Sequence, residues 1–373
     1  MTITARMLLG VALARPVMRG EELGLGPAFF SSLTPAQRYL YLLLFGVHWQ
    51  HALELCVAVA YYVLLWPRHF AAAGELHWAS RWALEVLAFN LACEIVVYGG
   101  WHLAMYGAAS PLTGGGRLAK FKFNQADQYA GEDGRANLGR EVLFCTLGWL
   151  QSAAWQILVM HALRRGVAFP AAAPDAIFAS RPLFAAATVL SMSFWRYAHF
   201  YLAHRVMHPW GAKLCGVDPG QALYDAVHSL HHKSYNPGPF SGLSMHPVEH
   251  LFYYSCVLLP VSLGLHPLAF LFTKFHADIS PAGGHDGFMA PGGDSTYHYI
   301  HHSKFHVNYS VPAPLCNLDW LFGTEASYDS VKECGGNLEK AIALTQSRTG
   351  SGPIALRAAL RWVWPGEVKR KTK

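Results

Sequence analysis

Fifteen of the 21 histidines in this 373-residue chain lie between His199 and His306. Most fall into spaced clusters: His204 with His208, His228 with His231 and His232, His246 with His250, and His298 with His301 and His302. A neutral imidazole is the commonest transition-metal ligand. Residues three or four apart on a helix face the same way, so each cluster can aim two or three nitrogens at one point. Together the clusters offer nine or ten ligands, enough for two ions. A lone histidine is usually a hydrogen-bonded core or surface residue, but two His-x2-His-His groups so close together point to metal.

The elements that must position these clusters are apolar. Hydrophobic residues make up 53% of the chain and charged residues 14%, whereas an ordinary soluble domain is about 25% charged; the missing charge implies a surface that faces lipid. Long apolar stretches run from Tyr39 to Trp66, Trp82 to Tyr106, Val142 to Leu163 and Pro182 to Ala203. Each is long enough for a bilayer core, which takes roughly 20 helical residues. A fifth, Leu251 to Phe275, is broken by Pro260 and Pro267 and is open between spanning, re-entering and lying beneath the catalytic part. His48 and His51 on the first stretch are expected to face other helices, as are Glu85, Asn90 and Glu94 on the second. Gly99-Gly100 offers a neighbouring helix a close approach. The polar segment from Ser110 to Arg140 has a basic excess that places it on the cytosolic side. Two spans separate it from the histidine-rich region, so that region is cytosolic as well. The fold class expected is all-α: a membrane bundle of about four transmembrane helices with a histidine-rich cytosolic helical domain. The chain divides into an N-terminal segment (1–36), membrane helices with a polar loop (37–181), a catalytic domain (182–325) and a C-terminal tail (326–373). Seven scattered cysteines with no Cys-x2-Cys pattern indicate neither a disulfide framework nor a zinc ribbon.

Several metal chemistries compete on the residues alone. A non-haem metal pair activating O2 uses all the clusters. Haem between helices has no use for neighbours such as His231-His232. A transporter holds ligands at midplane on broken helices, whereas these clusters follow the ends of apolar stretches. A zinc hydrolase needs about three protein ligands and an open position.

The motifs narrow the choice. His204-Arg205 with His208, then His228 to Glu249 with its Tyr235-Asn236, Pro239-Phe240, Gly242 and His246-Pro247 elements, then Gly284-His285-Asp286-Gly287, His298 to Tyr309 and Asp319 to Thr324 resemble the fatty acid hydroxylase and sterol desaturase superfamily. The resemblance covers about residues 190–325, and Tyr235 to Glu249 look most like the C-5 sterol desaturase branch. It implies an integral membrane oxidoreductase with two iron ions that uses O2 and electrons from cytochrome b5 or an equivalent donor to hydroxylate or desaturate a lipid, a sterol or acyl chain. It implies no nucleic-acid partner. The metal ligands carried over are His204, His208, His228, His231, His232, His285, His298, His301 and His302, with His246 and His276 competing for one further place. His250 and His306 read as supporting or surface groups, and His199 as structural. Relatives commonly carry an acid about two turns before the first box; here Trp195 to His199 contain none, so Asp278, Asp286 or Glu249 is expected to orient a ligand imidazole. Gly211 to Gly220 read as an extra loop. The aromatics Trp195, Tyr197, Phe200, Phe240, Phe252, Tyr253 and Tyr254 read either as the wall of a lipid channel or as ordinary packing.

Alternatives within the class are a sterol C-4 methyl oxidase, a fatty-acyl or sphingolipid hydroxylase, an ether-lipid monooxygenase and a carotenoid hydroxylase; outside it stands a metal transporter or sensor. Lys369 to Lys373 resemble a dilysine retrieval signal, which implies the endoplasmic reticulum membrane if the source is eukaryotic. Ile354 to Trp364 have the pattern of a short interfacial helix.

Overall fold

The computed structural model describes residues 48–349 except 78–79, 108–121, 123, 125, 127, 167–179, 289–293 and 312–316. The N-terminal segment, the interfacial helix at Ile354 to Trp364 and the basic terminus lie outside the described residues. Described elements are helical, in the order α1 (His48–Leu64), α2 (Trp66–Ala72), α3 (Arg81–Glu94), a π-helical turn (Ile95–Gly99), α4 (Gly100–Tyr106), α5 (Gly131–Arg164) and α6 (Pro182–Val206). There follow α7 (Pro219–Ala226), 3-10 turns at His228–Lys233 and Pro239–Leu243, α8 (Pro247–Tyr254), a 3-10 turn at Ser255–Val257, α9 (Leu258–Ser262), α10 (Pro267–Gly284), α11 (Asp294–Lys304), α12 (Leu318–Phe322), α13 (Tyr328–Glu333) and α14 (Leu338–Thr349).

Among the described residues, two helical segments are long and apolar enough to cross a bilayer, Arg81–Tyr106 and Gly131–Arg164; α1 and α2, bent by 57° at their junction, make a third if the pair is one span. One expectation changes, and one open reading closes. Pro182 to Ala203 does form one helix, α6, but Ser191, Ser193, Arg196, His199 and His204 along it keep it out of the apolar class. Leu251 to Phe275 is not a span: Pro260 and Pro267 lack the amide protons a continuous helix needs, and the chain folds as α8, a 3-10 turn, α9 and the start of α10. The polar segment also ends sooner than its composition suggests. Helix α5 starts at Gly131, with Glu132 and Asp133 in its first turn, where they face the positive end of the helix dipole.

At the centre lies α10, buried along most of its length and packed on α1 and α6. Tyr61, Phe89 and Phe275 form one aromatic contact set, with ring centroids 5.1 to 6.1 Å apart. Two of the polar groups expected inside the bundle find partners there: the Asn90 amide donates to Gln156 (3.1 Å) and the Thr146 hydroxyl to Glu94 (2.7 Å). Glu85 is half-buried, bonds the buried His69 of α2 (2.9 Å), and also pairs with Arg68 and Arg81 at the surface. Gly99 and Gly100 have open space where a Cβ would stand, so no helix approaches there among the described residues. Gly242 is the glycine that a close approach requires, because a Cβ on it would stand 2.5 Å from the Pro281 carbonyl oxygen on α10. It seats the Pro239–Leu243 turn against that helix.

Candidate metal centre

Among the described residues, nine histidines converge from four segments into two groups. His204, His208, His228, His232 and His301 form one; His231, His285, His298 and His302 form the other. Within each group the ligand nitrogens all lie within 4.8 Å of one another, and all nine side chains are buried. Helical spacing explains part of the division, since on an α-helix positions four apart share a face while adjacent positions diverge. His204 and His208 go together at the end of α6. His228 and His232 join that group while His231 turns to the other, a split set by the 3-10 turn's own backbone and not by α-helical spacing. On α11 the pattern reverses: His298 and His302 share the second group and His301 joins the first.

In the five-histidine group the Nε2 atoms stand 3.0 Å apart for His204 and His228, 3.1 Å for His228 and His232, 3.2 Å for His232 and His301, and 3.3 Å for both His204–His208 and His208–His232. Imidazoles bound at about 2.1 Å to one ion and at right angles stand about 3.0 Å apart, so the set fits a metal ion. The opposite ring nitrogens fix the tautomer. The Nδ1–H of His204 donates to the Tyr309 carbonyl (2.6 Å), that of His301 to the Val307 carbonyl (2.7 Å) and that of His228 to Glu249 (2.7 Å). Each leaves its Nε2 as a lone pair aimed inward. In the second group His285 donates from Nδ1 to the Pro281 carbonyl (2.9 Å), and its Nε2 stands 3.4 Å from that of His231. Both ring nitrogens of His298 and of His302 are buried without a protein partner among the described residues, the condition of a ligand that a cation would satisfy. Burial pushes all nine imidazoles below their ordinary range, His228 down to about 3 and His285 to about 4, with the neighbouring rings adding to the shift in most. They are therefore neutral at pH 7, the form that binds metal.

The structure does not bring His246 or His276 into either group. His246 is half-buried and caps α8, its Nδ1 accepting from the Val248 amide (3.2 Å). His276 is buried with His51 and Glu54 in a separate set. His199 reaches Ser255 (2.9 Å), His250 donates to the Leu243 carbonyl (3.1 Å), and His306 is exposed. Of the three acids open to an orienting role, Glu249 has it. Asp278 pairs with Lys274 (2.7 Å), and Asp286 accepts from the Phe288 amide (2.9 Å). Trp210, Gly211 and Gln221 donate backbone amides to Asp218, which turns the expected extra loop into a capped entry to α7.

Asp319 was not singled out as a supporting group by its spacing. It accepts from the Tyr309 and Ser310 amides (2.9 and 2.7 Å) and from the Thr324 hydroxyl (2.6 Å), and so holds the backbone whose carbonyl orients His204. Asn308, in the left-handed region at φ 57°, bonds the Tyr297 and Ala326 backbones. The Asn308-Tyr309 and Asp319 to Thr324 motif pieces are the signal that carried this role.

A cavity open to one side lies beside the second group, lined by Phe200, Met245, Tyr253, His276, His285 and His298 among others. Of the seven aromatics considered as a channel wall, Tyr197, Phe200 and Tyr253 line it. Phe240 and Tyr254 are core, and Phe252 is exposed.

Residues 188–324 match the family model for fatty acid hydroxylase. Among curated proteins, the chain is 29% identical over 150 residues to sphinganine C4-monooxygenase 1 of Arabidopsis thaliana, covering 37% of this chain and 54% of that one. Methylsterol monooxygenase 2-2 of the same plant is 26% identical over 146 residues, 36% of this chain and 50% of its own. A very-long-chain aldehyde decarbonylase of that plant is 26% identical over 211 residues, 44% and 31%. The chain thus spans about half the length, or less, of these curated relatives. No solved structure matches it. All nine converging histidines lie inside the matched stretch, and the chain carries a fatty acid hydroxylase domain over residues 188–324.

Proposed function

We propose that this chain is a membrane-bound lipid oxygenase that holds two iron ions. His204, His208, His228, His232 and His301 would hold one, and His231, His285, His298 and His302 the other. The carrying observation is the convergence of nine buried, neutral imidazoles into two groups beside a largely apolar cavity. The ion pair supplies reductive activation of O2 and oxidation of an unactivated C–H bond, chemistry that side chains alone cannot perform. The chain's own residues do the rest. An all-imidazole shell adds no negative charge to the ions, Glu249 and the Tyr309 and Val307 carbonyls orient the rings, and Phe200, Met245 and Tyr253 keep water from the lipid chain.

Hydroxylation is the favoured outcome, because two of the relatives described above are named monooxygenases. Sterol C-5 desaturation rests on the motif resemblance alone. Electrons would come from cytochrome b5 or an equivalent donor, and the apolar helices would seat the enzyme in the endoplasmic reticulum membrane of a eukaryote. The test is lipid-dependent O2 uptake by the iron-loaded protein with NADH, cytochrome b5 reductase and cytochrome b5, over a panel of sphinganine, methylsterols and long-chain acyl lipids. Uptake with a product one oxygen heavier supports the reading. No uptake with any of them, in a protein holding two irons, removes it.

A further inference from the structure

We infer that electrons reach the metal centre through Tyr224 and Phe305, and that the surface around these two rings is where a one-electron carrier protein docks by an acidic face; the inference rests on the oxygenase reading above. Inserting one oxygen atom of O2 into a C–H bond sends the other out as water and takes two electrons and two protons. A carrier delivers such electrons singly. Transfer falls off steeply with distance, so the docking surface must lie close to a ligand ring.

The two histidine groups have different surroundings. The cavity is lined by His285 and His298 of the second group and by none of the first. A smaller pocket does reach His204 and His228 of the first group, but Phe200, Met245 and Tyr253 line it as they line the cavity, so it belongs to the lipid side. Neither space touches Tyr224 of α7 or Phe305. The Tyr224 ring centroid is 5.5 Å from that of His208, 5.6 Å from that of His232 and 6.1 Å from that of His228. The Phe305 ring lies 4.8 Å from His232 and 6.4 Å from Tyr224. Both side chains are half-buried. Together they join three of the five ligand rings to the surface.

The backbone adds an independent observation. Helix α11 ends at Lys304, and Phe305 closes it with its amide donating to the His301 carbonyl (2.6 Å) at φ 64°. That left-handed closing position ordinarily takes glycine, and a bulky side chain is strained there. The strain holds an aromatic ring against a ligand of the five-histidine group, the kind of place where backbone strain serves function. Charge then selects the partner. Exposed Lys233 follows His232 in its turn, half-buried Lys304 precedes Phe305, and no carboxylate pairs with either among the described residues. Asp225, beside Tyr224, is engaged by the Gln221 side chain (2.8 Å). The positions adjoining the rings therefore carry two free cations, which complement an acidic carrier and speed its association.

The test uses the full iron-loaded chain in lipid nanodiscs, with the soluble haem domain of cytochrome b5 as the carrier. Zero-length carbodiimide cross-linking, mapped by mass spectrometry, is expected to join carboxylates of the carrier to Lys233 and Lys304 of the wild-type chain. Cross-links to other lysines only, or none, overturn the inference. Anaerobic oxidation of the pre-reduced carrier, followed at its haem band, gives a second readout. Lys233→Glu combined with Lys304→Glu should slow association about tenfold at low salt. Phe305→Gly and Tyr224→Leu should each lower the rate at saturating carrier, with metal content and reduction by dithionite unchanged. Glycine suits the left-handed position, so Phe305→Gly removes the ring and relieves the backbone together. An unchanged saturating rate in both ring variants overturns the inference, and loss of metal from folded Phe305→Gly overturns it in favour of a structural ring. The cross-link needs no variant, so it decides even if a variant fails to fold. Cross-links at both lysines in a chain that consumes no O2 would leave the docking surface standing and remove only the oxygenase reading.

Discussion

Replacing Glu249 with Gln separates the two groups of histidines. The Glu249 carboxyl accepts a hydrogen bond from the Nδ1–H of His228 at 2.7 Å and, among the described residues, makes none to a member of the second group. Burial pushes the Glu249 carboxyl well above its ordinary range and the His228 imidazole down to about 3, so without a cation both are neutral. A dication on the Nε2 of His228 favours the ionised carboxylate, and the hydrogen bond becomes charge-assisted. Glu249→Gln keeps the volume and an acceptor oxygen but cannot ionise. A buried hydrogen bond to a charged group contributes about 1.5–3 kcal/mol, which is about 10- to 100-fold in affinity, the range expected for a group that orients a metal-bound imidazole. The assay is titration of the two-metal protein with a chelator, following metal release. Wild type should release its ions at two affinities or together; in the variant one ion should leave at least tenfold more readily while the other is unchanged. Two unchanged ions, or two equally weakened ions in a folded protein, would refute the reasoning.

Other outcomes follow from the same geometry. Gly242→Ala puts a Cβ 2.5 Å from the Pro281 carbonyl oxygen and should destabilise the protein by about 1–3 kcal/mol; an unchanged thermal midpoint would contradict that contact. Asp319→Asn turns an amide donor toward the Tyr309 or Ser310 amide, and should lower both stability and the affinity of the five-histidine group, checked by thermal unfolding and the same chelator titration. The metal-free protein should be acid-labile. Its nine buried histidines titrate below the ordinary value near 6.5, so the unfolded chain gains protons first, and the stability present above pH 6.5 is lost as pH falls toward the folded values, about 3 for His228 and 4 for His285. A thermal midpoint unchanged between pH 7 and pH 4.5 would show that the rings are not held neutral by burial.

The histidine clusters were legible because ligand spacing is local: four-residue intervals set which rings share a face. The pairing of clusters was not, since it depends on how α6, α11 and the 228–233 turn meet in space. The orienting acid was missed at its usual place before His204 and arrives instead from Glu249 on α8. Likewise, His51 and Glu54 on α1 meet His276 more than two hundred positions away, and nothing in either segment names the other. Hydropathy located α3 to α6 but misjudged their ends. Helix α5 begins eleven residues before its apolar stretch, where hydrogen bonding continues through polar residues that a membrane-span reading discards. The break of Leu251 to Phe275 was foreshadowed by Pro260 and Pro267.

The central claim, two separate metal positions built from five and four histidines, is tested most directly by counting metal per folded chain in three proteins. Wild type should hold two ions. The pair His208→Ala with His232→Ala should hold one, and the pair His298→Ala with His302→Ala should also hold one. Circular dichroism and membrane insertion should be unchanged, because these substitutions remove no apolar span. One ion in wild type, or loss of both ions from either folded double variant, would contradict the account.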